Sequence, residues 1–119
     1  MIVLEGNQNK SSVLVDYVKQ LSEKVNANKI SVIDYVGNQN IYGGRVNYCS
    51  KGEDMILKEF SKDFRKWHES FQNSNYLILE LDAPKEMLNE IKLIEQDFNK
   101  QIVVTIQNND LEKVDVYEY

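Results

Sequence analysis

Apolar residues recur along the chain with two different periods, and each change of period marks a new element. Ile2-Val3-Leu4 is a short continuous apolar run, which predicts a buried strand. Over residues 11–27, Leu14, Val18, Leu21 and Val25 fall four, three and four apart, the spacing of one helix face, with Ser11 and Ser12 as candidate N-caps. Ile30-Ser31-Val32-Ile33-Asp34-Tyr35-Val36 is rich in β-branched residues and predicts a second strand. Over residues 53–72, Ile56, Phe60, Phe64, Trp67 and Phe71 repeat at four, four, three and four, which predicts the clearest helix of the chain. Tyr76-Leu77-Ile78-Leu79-Glu80-Leu81 is almost continuously apolar and suits the centre of a sheet. Asp82-Ala83-Pro84 then predicts a helix start, with Asp82 as cap, Pro84 in the first turn and Met87, Ile91, Ile94 and Phe98 on the buried face. Ile102-Val103-Val104-Thr105-Ile106 reads as another buried strand, and Val114-Asp115-Val116-Tyr117 alternates like a half-exposed last one.

Residues 37–52 break the pattern. Gly37-Asn38-Gln39-Asn40 is a turn cluster, and Gly43-Gly44 sits between Asn40-Ile41-Tyr42 and Arg45-Val46-Asn47-Tyr48. A two-residue glycine link between such flanks predicts a hairpin, here a small β-ribbon. The order is therefore β-α-β-(ribbon)-α-β-α-β-β. Strands alternating with helices predict one three-layer α/β domain over residues 1–119, with a mainly parallel sheet flanked by helices.

Composition narrows the function more than the fold. Apolar residues make up 42% of the 119, enough for one core, and the runs are too short to span a membrane. No basic, long-apolar leader precedes the first strand, and Cys49 is the only cysteine, so a cytoplasmic protein without disulfides is expected. The net charge of −5 argues against direct nucleic-acid binding. It is unevenly spread: residues 1–75 hold ten Lys/Arg against nine Asp/Glu, and residues 76–119 hold four against ten. An acidic final third is either a solvated face or a surface for a basic partner, including a protein whose nucleic-acid cleft it would block as a mimic. Thirteen Asn beside many Lys, Ile and Tyr fit an A/T-rich gene, as in a Gram-positive bacterium, a phage or a mobile element.

The one chemical hint lies at the start. Met1-Ile2-Val3-Leu4-Glu5-Gly6 is followed by Lys10-Ser11-Ser12 at the opening of the first helix. Strand, glycine, lysine, hydroxyl and helix are the parts of a phosphate-binding loop in their usual order. This stretch resembles the N-terminus of P-loop nucleoside and nucleoside-monophosphate kinases, especially thymidylate kinase-like proteins. The resemblance implies a P-loop-kinase-like core, in which Lys10 grips phosphate, Ser11 binds magnesium and the backbone from Gly6 to Lys10 cradles the anion. It also draws attention to Asp34 and Asp82 at strand ends, where a magnesium or base carboxylate would stand. The run G-x-x-x-K-S-S lacks the second glycine of the full motif, and its loop is one further residue short. The only arginines are Arg45 and Arg65, neither placed after the central strand, and no lid segment is visible.

These departures favour a non-enzymatic binding or regulatory protein, with no catalytic residues, no metal and no cofactor, acting on a protein partner. The partner-binding candidates are Tyr35, Tyr42 and Tyr48 around the ribbon, and Glu86, Glu90 and Asp97 in the acidic third. The alternative is a divergent nucleotide-binding protein or kinase that uses magnesium and a nucleotide at Gly6, Lys10, Ser11, Asp34 and Asp82. His68 has no second ligand at helical spacing, so neither a metal site nor a triad is expected from it.

Overall fold

A computed structural model describes residues 1–37, 40–51 and 57–119, with the side chains of Arg45, Leu57 and Trp67 left aside. Six strands form one sheet: β1 (Ile2–Gly6), β2 (Ile30–Asp34), β3 (Asn47–Ser50), β4 (Tyr76–Ala83), β5 (Gln101–Gln107) and β6 (Asp115–Glu118). Their spatial order is β3-β2-β4-β5-β1-β6. All neighbouring pairs are parallel except β1 with β6, where Ile2 faces Glu118 and Glu5 faces Asp115. The expected α/β architecture with a mainly parallel sheet is therefore the observed one.

The period of two divides the sheet residues between two cores. Val3, Ile33, Leu77, Leu79, Leu81, Val104 and Ile106 face α2 (Phe60–Trp67) and α3 (Leu88–Phe98), packing on Phe60, Phe64, Leu88, Ile91 and Ile94. Leu4, Ile30, Val32, Ile78 and Val103 face α1 (Lys10–Ser22), packing on Leu14 and Val18. Strands buried on both faces explain why their sequences read as continuous apolar runs. On the α2 side the aromatic rings interlock: Phe64 lies 5.9 Å from Phe60, 6.0 Å from Phe71 and 5.4 Å from Phe98, centroid to centroid.

Four expectations are corrected. The Gly43-Gly44 hairpin and its β-ribbon do not form. Gly43–Arg45 is a single 3-10 turn, and Asn47–Ser50 joins β2 as a parallel edge strand, Ser31 beside Asn47. The polar residues 40–48 thus belong to an edge crossover, a topology that local turn chemistry does not encode. Asp82 caps no helix. The strand runs on through Ala83, and Pro84 precedes a 3-10 turn at Lys85–Met87 that leads into α3. Helix α1 begins at Lys10, so Ser11 and Ser12 lie inside it and its cap is Asn9, in a left-handed conformation with φ 66°. It ends at Ser22 rather than near residue 27. The helix expected over 53–72 is α2 between 3-10 turns at Leu57–Glu59 and His68–Phe71, while Ile56 and the side chain of Trp67 fall outside the described set. None of the described helices is long and apolar enough to cross a membrane.

Candidate functional site

Strand β1 ends at Gly6 and three residues later the chain turns into α1, so Lys10 stands in the first turn above the carboxyl edge of the sheet. Its side chain folds back and is buried, only 5% exposed. The Nζ donates to the Gly6 carbonyl at 2.6 Å and to Gln107 Oε1 at 2.6 Å, and lies 3.5 Å from Asp82 Oδ1. Gln107 is held in that orientation because its Nε2 donates to Asn109 Oδ1 at 2.7 Å and Asn7 Oδ1 at 3.2 Å. The Gly6 carbonyl also accepts the Asn108 N–H at 3.0 Å. The missing side chain of Gly6 serves a neighbour: a Cβ there would come within 3.3 Å of the Val114 Cα. The chain leading into β6 therefore packs directly against the Gly6 backbone.

Asp82 reaches Lys10 through an irregularity in β4. Leu79 pairs with Val104 and Ala83 with Ile106, so four steps of β4 cover two of β5. The extra residues leave the ladder, and Thr105 Oγ1 accepts the freed N–H groups of Leu81 at 2.9 Å and Asp82 at 3.0 Å. Asp82 itself has φ 47°, a left-handed conformation that Asp tolerates better than most residues. Bulges re-aim side chains in this way at strand ends.

Beside this corner lie two buried carboxylates, Asp34 (0% exposed) and Glu80 (2%), register partners on β2 and β4. Asp34 Oδ1 accepts the N–H groups of Val36 and Gly37 at 2.9 and 3.1 Å. Its Oδ2 accepts the Tyr48 hydroxyl at 2.6 Å, and Glu80 accepts the Tyr42 hydroxyl. Burial, and then the hydrogen bond to each carboxylate, push both phenols far up from their ordinary value. Tyr35 is also buried, edge-on to Phe60, with its hydroxyl 3.5 Å from Asp63. The tyrosines expected to meet a partner thus do internal work: Tyr35 and Tyr42 are 5% exposed and Tyr48 is half-buried.

The acidic candidates stand elsewhere. Glu86, Glu90, Leu93 and Asp97 fall four, three and four apart along the outer side of α3 and the turn before it. Glu86 and Asp97 are exposed, Glu90 is half-buried, and Leu93 is 56% exposed. Arg65 Nη2 binds Asp97 at 2.6 Å. Ser11 is half-buried on α1.

The structure thus brings Gly6, Lys10 and Asp82 together and leaves Asp34 with the tyrosines. Sequence reasoning missed Gln107, Thr105 and Glu80 as members of this corner. Glu80 carried a signal, a lone charge inside a buried strand. The polar run Gln107-Asn108-Asn109 directly after β5 carried another. Among the described residues no group of three His, Cys, Asp or Glu could hold a metal ion. The His68 ring lies tilted against Phe98, centroids 4.8 Å apart, with its Nδ1 2.8 Å from the Arg65 carbonyl, and Cys49 is a half-buried thiol on β3. What fold and site define is a small α/β domain with a lysine closed into the carboxyl edge of its sheet. No family model and no curated protein matches the chain.

Proposed function

We propose that this chain is a non-enzymatic binding protein of the cytoplasm, built on a phosphate-loop-like scaffold in which the loop lysine has become an internal strut. One observation carries the reading. An ammonium has three donors, and the three groups around Lys10 Nζ, the Gly6 carbonyl, Gln107 and Asp82, are all from this chain. A phosphate would have to displace these partners, and Val114 packs closely against Gly6. The partner surface is the outer stripe of α3, where Glu86, Glu90 and Asp97 frame exposed Leu93. An apolar anchor in a row with acidic side chains suits a basic protein surface.

The alternative, a divergent P-loop nucleotide-binding protein, draws on the convergence of Lys10, Asp82 and Gln107 at the carboxyl edge, the usual ligand edge of such sheets. Thermal unfolding with ATP or GTP plus magnesium separates the two. The strut reading expects no shift in Tm at millimolar nucleotide, and a lower Tm for Lys10→Met without any ligand. A clear nucleotide-dependent rise that Lys10→Met abolishes would establish the alternative instead.

A further inference from the structure

The opposite, amino-terminal edge of the sheet carries a feature that neither reading uses. A hollow of about 450 Å³ opens there, lined by Val25, Lys29, Asn75, Tyr76, Lys100 and Gln101 among others. The loops that build it are laced together: Asn75 N–H donates to the Lys29 carbonyl and Gln101 N–H to the Asn75 carbonyl, both at 2.9 Å. Lys100 Nζ is fixed by the carbonyls of Gln72 and Ser74, which leaves one of its three donors for the hollow. Among the described residues, neither Lys29 nor Lys100 is in an ion pair. Burial, and then the charge of Lys29, hold the Lys100 ammonium below its ordinary value, so the two cations feel one another. The adjoining hollow contains two carboxylates: Glu95, tied to Lys92 at 2.8 Å and to the Ile102 N–H at 2.8 Å, and the exposed Glu118 of β6. A chain of net charge −5 thus gathers two cations without a counter-charge in one polar recess.

We propose that this recess binds a phosphorylated small organic molecule, with the phosphate between Lys29 and Lys100 and the organic part against Tyr76 and Val25. A phosphate monoester carries close to two negative charges at neutral pH, matching two ammonium groups, and the volume lies within the usual range for small-ligand sites. Asn75 and Gln101 also line the hollow, and an amide side chain can donate to a phosphate. The site is distinct from the Lys10 corner and stands or falls independently of it.

The test is a titration of the ¹⁵N-labelled chain with phenyl phosphate and, separately, inorganic phosphate, followed by amide chemical shifts. Saturable shifts are expected at Lys29, Asn75, Lys100 and Gln101, with phenyl phosphate binding more tightly than inorganic phosphate. Lys29→Gln should weaken binding about tenfold, as loss of one charge-assisted contact worth about 1.4 kcal/mol would. Lys29 is exposed, so this variant tests the site without risking the fold, which Lys100→Gln does through Gln72 and Ser74. Lys10→Met should leave the titration unchanged. The proposal is overturned by an absence of saturable shifts, by shifts centred on residues 6–12, by indifference to Lys29→Gln, or by equal affinity for inorganic phosphate.

Discussion

A single ammonium decides how the N-terminal motif is read. Lys10 opens a helix after a glycine-ended strand, and its donors end on Gly6, Gln107 and Asp82. Removing it takes the lysine donor from the Gln107 amide oxygen and leaves the Gly6 carbonyl with the Asn108 N–H alone. Lys10→Met should therefore cost about 1–3 kcal/mol in denaturant unfolding, the usual penalty for orphaned polar groups. Asp82 is more than one third exposed and adds little to that figure, because solvent screens it. Asp82→Asn should accordingly cost clearly less than Lys10→Met. Equal costs would mean that the ion pair, and not the neutral acceptors, holds the corner.

Individual elements owe their places to contacts made at one end. Strand β6 is clamped to β1 by Glu5, which accepts hydrogen bonds from Tyr117 and Asn108, both at 2.6 Å, with Lys85 3.6 Å away. Those bonds, Tyr117 first and Asn108 next, hold the Glu5 carboxyl below its ordinary value of 4.5 against the effect of burial. Glu95 is also lowered: burial, the largest single effect, raises it, and is outweighed by Lys92, the Ile102 N–H and the N-terminal ammonium together. A carboxylate depressed in the folded state stabilises it fully above the unfolded value and loses that contribution as pH falls through the folded one. Stability should be flat from pH 7 to about 5 and fall progressively below the ordinary carboxylate value, with β6 amides losing exchange protection before those of β4. Glu5→Gln should lower stability at pH 7 and flatten the acid limb; an unaltered limb would remove Glu5 from the explanation. In α2, Phe64 is 1% exposed among three other rings. Phe64→Ala should cost about 3–5 kcal/mol in the same unfolding assay, as truncation of a buried Phe does.

For the molecule as a whole, the proposed function is association with a protein partner, and it predicts the response to nucleotide and salt. A nucleotide at 100 times its dissociation constant would add about 2.7 kcal/mol of stability, several degrees in Tm, so its expected absence is readily measured. Association of a basic protein partner with the α3 stripe should be fast and salt-sensitive. The screening length drops from about 10 Å at 0.1 M salt to about 3 Å at 1 M, which removes most steering between exposed charges. Reversing Glu86 and Glu90 to Lys should slow the on-rate and leave thermal unfolding almost unchanged. An on-rate indifferent to both salt and these reversals would take the partner surface away from α3.

The sequence by itself determined the alternation of strands and helices, the parallel character of the sheet and most of the buried faces. Those depend on short-range period and on burial from both sides, which residues such as Leu77, Val104 and Ile91 report directly. It placed Lys10 at the start of a helix after a glycine-ended strand, and the structure keeps it there. Only tertiary structure decided what Lys10 touches, because Gln107 lies 97 residues away in sequence and meets it through the β5-β1 pairing. The same holds for Gly6, whose lack of a side chain answers to Val114, and for the bulge that turns Asp82 toward the lysine where local signals predicted a helix cap. Tyr42 and Tyr48 looked like surface tyrosines on a ribbon. The parallel pairing of Asn47–Ser50 with β2 brings the Tyr48 hydroxyl onto Asp34, and Tyr42, just before the 3-10 turn, bonds Glu80. Periodicity records which face of an element is apolar, whereas the partner of a polar group is set by which strands become neighbours, and that is a property of the whole chain.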